Sequence, residues 1–439
     1  MSRRPLLQTA IPGPRSRAIL AGGDGSLSKS YTIDHALVAD RASGCWITDP
    51  DGNEFLDMTA GIAVTATGHC HPKVVAAIHE QSSRLIHMSG TDFFYPVQAQ
   101  LASRLASLHP VRGEKSRIYF GNSGAEANEA AFKLARYHTG RKSFIAFLDC
   151  FHGRTMGALS LTASKVRQRE GFGPFLPVTH TLYPDPYRLG ARATDMAIDH
   201  IEMLFRTILP AEDVAGIFVE PIQGEGGYIV PPDDFLPRLR ELADKHGILL
   251  IFDEVQSGNG RTGKLWAWEH TGVKPDILTT AKGLASGLPL SATIASDTVM
   301  NWKPGSHAST FGGNPVACAA AVATYDLLLG QGGLVENAAN VGAYMLESLR
   351  ETVGAHPNVG DIRGRGLMIG VELVKDRATK ARAVELRDRV VMHAFEKHGM
   401  LAIGAGQNAI RFCPPLTLTQ DEAKVAVELF AATLKDLTE

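Results

Sequence analysis

An α/β fold with a mostly parallel central sheet is what this 439-residue sequence predicts, joined to a smaller α+β domain built from both chain ends. Three observations carry that expectation. From about residue 115, strand-like apolar runs alternate with helix-like segments, the order that feeds a parallel sheet. Two of the runs, Gly216-Ile-Phe-Val-Glu220 and Gly247-Ile-Leu-Leu-Ile-Phe252, are apolar almost throughout, as strands covered on both faces must be. The two ends of the chain break that alternation.

In chain order, Cys45-Trp-Ile-Thr48, the turn Asp49-Pro-Asp-Gly52 and Glu54-Phe-Leu-Asp57 read as a hairpin. Arg117–Phe120 reads as a short strand, Gly121–Gly124 as a turn, and Ala125–Arg136 as a helix with apolar residues at helical spacing. Ser143–Leu148 is the next strand. A helix over Asp234–His246 links the two apolar runs into a βαβ unit, and Ile277–Thr280 and Leu290–Ile294 are further strands. Asn314-Pro315 opens a long Ala-rich helix. The expected limits are 1–69 for an N-terminal arm and part of the small domain, 70–315 for the large domain, and 316–439 for the rest of the small domain.

Composition narrows the function. Hydrophobic residues make up 44% and charged residues 21%, and 44 basic residues stand against 46 acidic ones, so no basic excess favours nucleic acid or a membrane surface. Five scattered cysteines with no CxxC pair fit a reducing compartment, hence a cytoplasmic protein. No apolar run suits a membrane-spanning helix. The first 23 residues carry Arg3, Arg4, Arg15 and Arg17 without an acid, which resembles an organelle leader. Pro5, Pro12 and Pro14 interrupt an amphipathic helix there, so an arm packed on the protein or a partner is expected instead.

Gly258-Asn-Gly260-Arg-Thr-Gly263-Lys264 matches part of a phosphate loop, but Leu265 stands where Ser or Thr would hold Mg²⁺ and no long helix follows. A phosphate-binding NTPase is therefore the weaker reading from another class. His69 and His71 flank Cys70 without further ligands at metal spacing, so a turn and no metal are expected.

Four loops after expected strands carry more chemistry, because strand ends line the ligand crevice of an open parallel sheet. Gly121-Asn-Ser123-Gly124-Ala125 places N–H groups and a helix N-terminus there, an anion site. Phe151-His152-Gly153-Arg154 offers an aromatic ring and a cation. Asp253-Glu-Val-Gln256 ends a strand in two acids and an amide. Lys282 follows an apolar strand and precedes Gly283. An anion pocket, an acid, a lysine and an aromatic face are what pyridoxal 5′-phosphate requires.

These stretches resemble the class III aminotransferases, the ω-amino-acid branch of fold-type I pyridoxal-phosphate enzymes. The likeness also covers Ala60-Gly-Ile-Ala-Val64, Gly68–Pro72, Val219-Glu-Pro-Ile-Gln-Gly-Glu-Gly226, Ser309–Pro315 and Arg411-Phe-Cys-Pro-Pro-Leu416. It implies Lys282 as the Schiff-base lysine, Asp253 as partner of the pyridinium nitrogen, Gln256 near the phenolic oxygen and Phe151 on the ring face. It further implies Ser123, Gly124 and Ala125 around the phosphate, His152 among the cofactor contacts, and Thr310 reaching the phosphate of a neighbouring subunit in a dimer or tetramer. Family members usually carry Ser or Thr where Ala125 stands. Ile62, Arg154, Glu220 and Arg411 are the implied substrate contacts. Arg154 would take the distant carboxylate and Arg411 the α-carboxylate, with Glu220 neutralising Arg411 between half-reactions. The implied reaction moves an ω-amino group to 2-oxoglutarate, nearest the 4-aminobutyrate branch, with the acetylornithine and ornithine branches sharing the motifs. Some class III proteins instead racemise amino acids.

Overall fold

Strands form where the chain is apolar enough to be covered on both sides. The computed structural model describes residues 3–23, 26–33 and 35–438. Its central sheet has seven strands: β1 (Ser116–Gly121), β2 (Ser143–Phe147), β3 (Val178–Thr181), β4 (Val214–Val219), β5 (Leu249–Asp253), β6 (Ile277–Thr280) and β7 (Ser291–Ser296). They lie in the order β1-β7-β6-β5-β4-β2-β3. Only β7 runs against the rest, pairing antiparallel with both β1 and β6. Every residue of β4, β6 and β7 is buried.

Two details of the central sheet depart from the sequence reading. The helix Phe235–His246 ends on Gly247 at φ +60°, a left-handed cap, so β5 starts at Leu249 rather than at Gly247. Strand β3 was not expected, because Val-Thr-His-Thr is a short, half-polar sequence that gains its place only as the edge beside β2.

Both chain ends meet in the smaller sheets. Trp46–Thr48 and Glu54–Asp57 form the expected hairpin, whose turn is held by Asp49 Oδ1 accepting from the N–H groups of Asp51 at 2.9 Å and Asn53 at 2.8 Å. Glu54–Asp57 then pairs in parallel with Met400–Leu401, tying residues far apart in sequence. Val359–Arg365, Met368–Asp376, Ile403–Ala405 and Ala409–Phe412 make an antiparallel sheet on the C-terminal side. The Ala-rich helix runs over Pro315–Leu329, capped by the Asn314 side chain.

The arm packs on the protein, with Leu6 and Glu54 exchanging backbone hydrogen bonds of 3.0 and 2.8 Å. It contains a short helix, Pro14–Gly23, that has no apolar face, Ser16 being its buried residue. Pro14 sits at the first position, where its missing N–H costs nothing, and Asp51 accepts from the N–H groups of Arg15 and Ser16, each at 2.8 Å. The glycines of the Gly258–Lys264 loop serve close packing. A Cβ on Gly263 would lie 2.9 Å from Ala339 Cα, and one on Gly366 would lie 2.3 Å from the Thr262 carbonyl carbon, so the glycines let the loop wedge against the C-terminal segment. Among the described residues no single helix is long and apolar enough to cross a membrane.

Candidate active site

The carboxyl ends of β1, β2, β4, β5 and β6 bring the expected loops to one crevice. Asp253 ends β5 and is 4% exposed. Its Oδ2 lies 2.7 Å from His152 Nδ1 and accepts from Asn128 Nδ2 at 2.8 Å, while Oδ1 accepts from Val255 N–H at 3.0 Å. Asn128 also donates to the His152 carbonyl at 2.7 Å and is oriented by Thr279, whose hydroxyl donates to Asn128 Oδ1 at 2.8 Å. Burial alone would depress the His152 imidazole, but the neighbouring Cys150 sulfur and Asp253 carboxylate hold it well above its ordinary value. The Asp253 carboxylate is thereby fixed in orientation at the end of β5.

The anion site lies one loop away. Ser123 caps the helix Gly124–Thr139, accepting from Glu126 N–H at 3.3 Å, and leaves the first N–H groups of that helix, those of Gly124 and Ala125, without an intrahelical acceptor. Its floor admits no side chains. A Cβ on Gly124 would meet Val255 Cγ1 at 2.7 Å, and one on Gly153, at φ +135°, would meet Ala125 Cβ at 2.6 Å. Phe151 is half-buried on the wall, with its N–H donating to Glu220 Oε1 at 2.8 Å.

Lys282 follows β6 at φ +43°, a left-handed conformation that costs a non-glycine residue roughly 1–2 kcal/mol. Strain of that kind persists where the surroundings over-determine it. Burial first, and then the Arg411 charge, bring its ammonium down to about 8, against the pull of Asp253. A lysine so placed is a nucleophile and base near neutral pH.

The substrate side holds the main correction. Arg411 does not pair with Glu220. Glu220 is buried beneath the wall, accepting from Phe151 N–H and from Gly224 N–H at 2.6 Å, and burial raises it to about 7. Glu225, five residues on, reaches Arg411 instead, with Oε2 3.1 Å from Nη1. The contact is an ion pair without hydrogen-bond alignment, and Nε and Nη1 of this buried guanidinium make no hydrogen bond. Arg411 also lies over the Tyr228 ring, 5.9 Å from its centroid, and the Tyr228 hydroxyl donates to Gln256 Oε1 at 2.7 Å.

Ile62 lies on an unusual turn whose next residue, Ala63, packs with Tyr228 and Cys413. Ala60, Gly61, Ile62 and Ala63 all have left-handed φ, at 49°, 59°, 68° and 60°, and leave the Ile62 side chain exposed. Asp57 braces the entry, accepting from Thr59 N–H at 2.7 Å and Ala60 N–H at 3.1 Å, and Cys413 Sγ donates to the Thr59 carbonyl at 3.3 Å. Arg154 is exposed and, among the described residues, forms no ion pair. Thr310 is exposed beside Ser309, whose hydroxyl accepts from Asn122 Nδ2 at 3.1 Å.

Residues 28–434 match the family model for class III aminotransferases. The chain belongs to that family. It is 45% identical to an acetylornithine aminotransferase of Methanopyrus kandleri, over 89% of this chain and 92% of that protein. It is 38% identical to a 4-aminobutyrate aminotransferase of Mycobacterium tuberculosis, over 99% of both. An alanine/serine racemase of Pyrococcus horikoshii is 37% identical over 98% of this chain and 93% of the other. Among solved structures, an amine transaminase from an uncultivated Pseudomonas species with pyridoxal phosphate bound superposes with a TM-score of 0.85, at 35% identity, covering 93% and 97% of the two chains.

Pyridoxal 5′-phosphate is the cofactor of this class III protein, and the residues present fit it: an anion cradle kept open by Gly124 and Gly153, a buried oriented carboxylate and a lysine of lowered basicity. Four residues that shape the site were missed from sequence. Asn128 lies one helical turn beyond Gly124. Glu225 and Tyr228 lie within or just after the Val219–Gly226 motif. Thr279 is buried within β6, and its hydroxyl carries no local signal.

Proposed function

We propose that this enzyme transfers the amino group of an ω-amino acid, of 4-aminobutyrate or ornithine and N-acetylornithine type, to 2-oxoglutarate, yielding glutamate and a semialdehyde. The observation that carries the reading is Arg411. A buried guanidinium with unused donors suits a carboxylate bidentately, and its acidic contact among the described residues comes from a side chain, Glu225, able to move. A donor whose amine lies far from its single carboxylate needs Arg411 neutralised; glutamate, with a second carboxylate beside the amine, needs it free. Arg154 suits the distant carboxylate common to both.

Bound in this crevice, pyridoxal phosphate supplies an electron sink for the carbon that loses its proton. Asp253 holds a proton on the ring nitrogen by opposite charge, with His152 and Asn128 fixing its orientation. Lys282 Nζ takes the proton from the carbon that bears the donor amine. Gly124 and Ala125 offer N–H groups to the phosphate, and Ile62 narrows the entrance.

Racemisation is the second reading, supported by relatives such as the Pyrococcus racemase. It requires the proton to return to the carbon it left, and it handles one α-carboxylate throughout, so it has no use for a displaceable Glu225. A homodimer with shared sites is supported by Ile86, Met88, Phe93, Phe94 and Phe311, all exposed apolar side chains on segments linked by the Thr91 hydroxyl to Ser309 carbonyl contact of 3.5 Å and the Asn314 Nδ2 to Ile86 carbonyl hydrogen bond of 3.0 Å. Cysteines left free among the described residues support a cytoplasmic setting. Glutamate formation from 2-oxoglutarate with a panel of ω-amines tests the reading; no glutamate with any of them overturns it.

A further inference from the structure

Glu225 has a second cationic partner. Lys165, from the loop after the helix Met156–Leu161, donates from Nζ to Glu225 Oε1 at 2.8 Å. The carboxylate therefore bridges two cations, Oε1 hydrogen-bonded to Lys165 and Oε2 against Arg411 at 3.1 Å without alignment. The settings differ: the Lys165 side chain is 46% exposed and that of Arg411 is 7% exposed. Meanwhile the Glu225 backbone is pinned, its carbonyl accepting from Gly406 N–H at 2.6 Å, so only the side chain is free to swing.

We infer that Lys165 is the docking post that receives Glu225 when the α-carboxylate of an oxo acid displaces it from Arg411, and so sets the affinity for dicarboxylates. The inference rests on the proposed transaminase reading. The physical reason is the cost of displacement. A carboxylate leaving Arg411 with nothing to receive it would compete with the incoming anion for the same guanidinium. With Lys165 already bonded to one oxygen, the side chain exchanges one cation for another and stays ionised. Burial opposes the charged form of Glu225, and Arg411 followed by Lys165 hold it below the usual carboxylate range. As an isolated surface ion pair Lys165–Glu225 would contribute little to stability, so its effect belongs to binding.

The test uses holoenzyme and two unreactive ligands, glutarate as the dicarboxylate and valerate as the monocarboxylate, with dissociation constants measured by calorimetry. Lys165→Met is expected to weaken glutarate by about fivefold, the scale of a half-exposed ion pair, and to leave valerate unchanged. Lys165→Arg should restore glutarate binding. In a Glu225→Gln background Lys165→Met should have no further effect, because there is no carboxylate to receive. Equal weakening of both ligands, or a full Lys165→Met effect in the Glu225→Gln background, would show a diffuse charge effect and overturn the inference. An unchanged glutarate constant would overturn it as well. Wild-type enzyme that makes no glutamate from 2-oxoglutarate defeats the transaminase reading instead, a result distinct from all of these.

Discussion

His152 Nδ1 stands 2.7 Å from Asp253 Oδ2, with both side chains almost closed to solvent. Removing the charge while keeping the shape, by Asp253→Asn, should slow the proton-transfer step by about 10²–10⁴. If Asp253 merely ordered its loop through the Val255 N–H, the variant would lose about 1 kcal/mol of stability and keep its rate. Single-turnover kinetics and thermal melting, run side by side, separate the two.

Lys282→Ala should still bind pyridoxal phosphate through the cradle, but without a borohydride-reducible bond and with turnover lowered by at least about 10². In the wild type, the lowered basicity of Lys282 has its own signature: covalent attachment of pyridoxal phosphate to apoprotein should accelerate with rising pH and level off above about 8. Attachment rates that keep climbing towards pH 10.5, the ordinary lysine value, would show that burial does not act on this amine.

Ala125→Ser adds the hydroxyl that family members usually carry beside the phosphate. One extra hydrogen bond to a charged group is worth about 1.5–3 kcal/mol, so cofactor release during dialysis should slow at least tenfold. The opposite change, Gly153→Ala, puts a methyl group 2.6 Å from Ala125 Cβ and should weaken cofactor retention.

Glu225→Ala should weaken the ω-amine half-reaction, because Arg411 is then left unpaired, and improve the use of glutamate. Arg411→Ala should mainly harm the 2-oxoglutarate half. Stopped-flow measurement of each half on both variants checks this. Equal losses in both halves would make the pair purely structural.

Stability should also depend on pH through buried acids. Glu254 accepts from Ala267 N–H at 2.8 Å and Trp268 N–H at 3.0 Å, yet burial raises it to about 7, as it does Glu220. Each binds more protons folded than unfolded between the ordinary 4.5 and about 7, so its contribution is complete below 4.5 and lost as pH rises through about 7. Glu254→Gln should flatten the fall in melting temperature of the apoprotein across that window.

The make-up of the crevice was legible in the sequence because its parts are local. Lys282, Asp253, Phe151 and the Ser123–Ala125 turn each close a strand, and strand ends in a parallel sheet converge. What was not legible depended on chain path. Glu220 and Glu225 are five residues apart in one motif, and which of them reaches Arg411 is decided by the turn after β4, where the N–H groups of Phe151 and Gly224 occupy Glu220. Lys165 lies in a loop without periodicity, and the left-handed Ala60–Ala63 turn matches neither helix nor strand spacing. The arm helix was hidden because Pro14 opens a helix as readily as it breaks one.

Transfer of an ω-amine is read out by the absorption spectrum of the holoenzyme with a single amine and no oxo acid. With 4-aminobutyrate, ornithine or N-acetylornithine in turn, at least one should convert the bound cofactor stoichiometrically to pyridoxamine phosphate, and 2-oxoglutarate should then restore the starting spectrum. A cofactor spectrum that none of them converts, together with interconversion of the enantiomers of an α-amino acid, would rule out ω-amine transfer and identify the protein as a racemase.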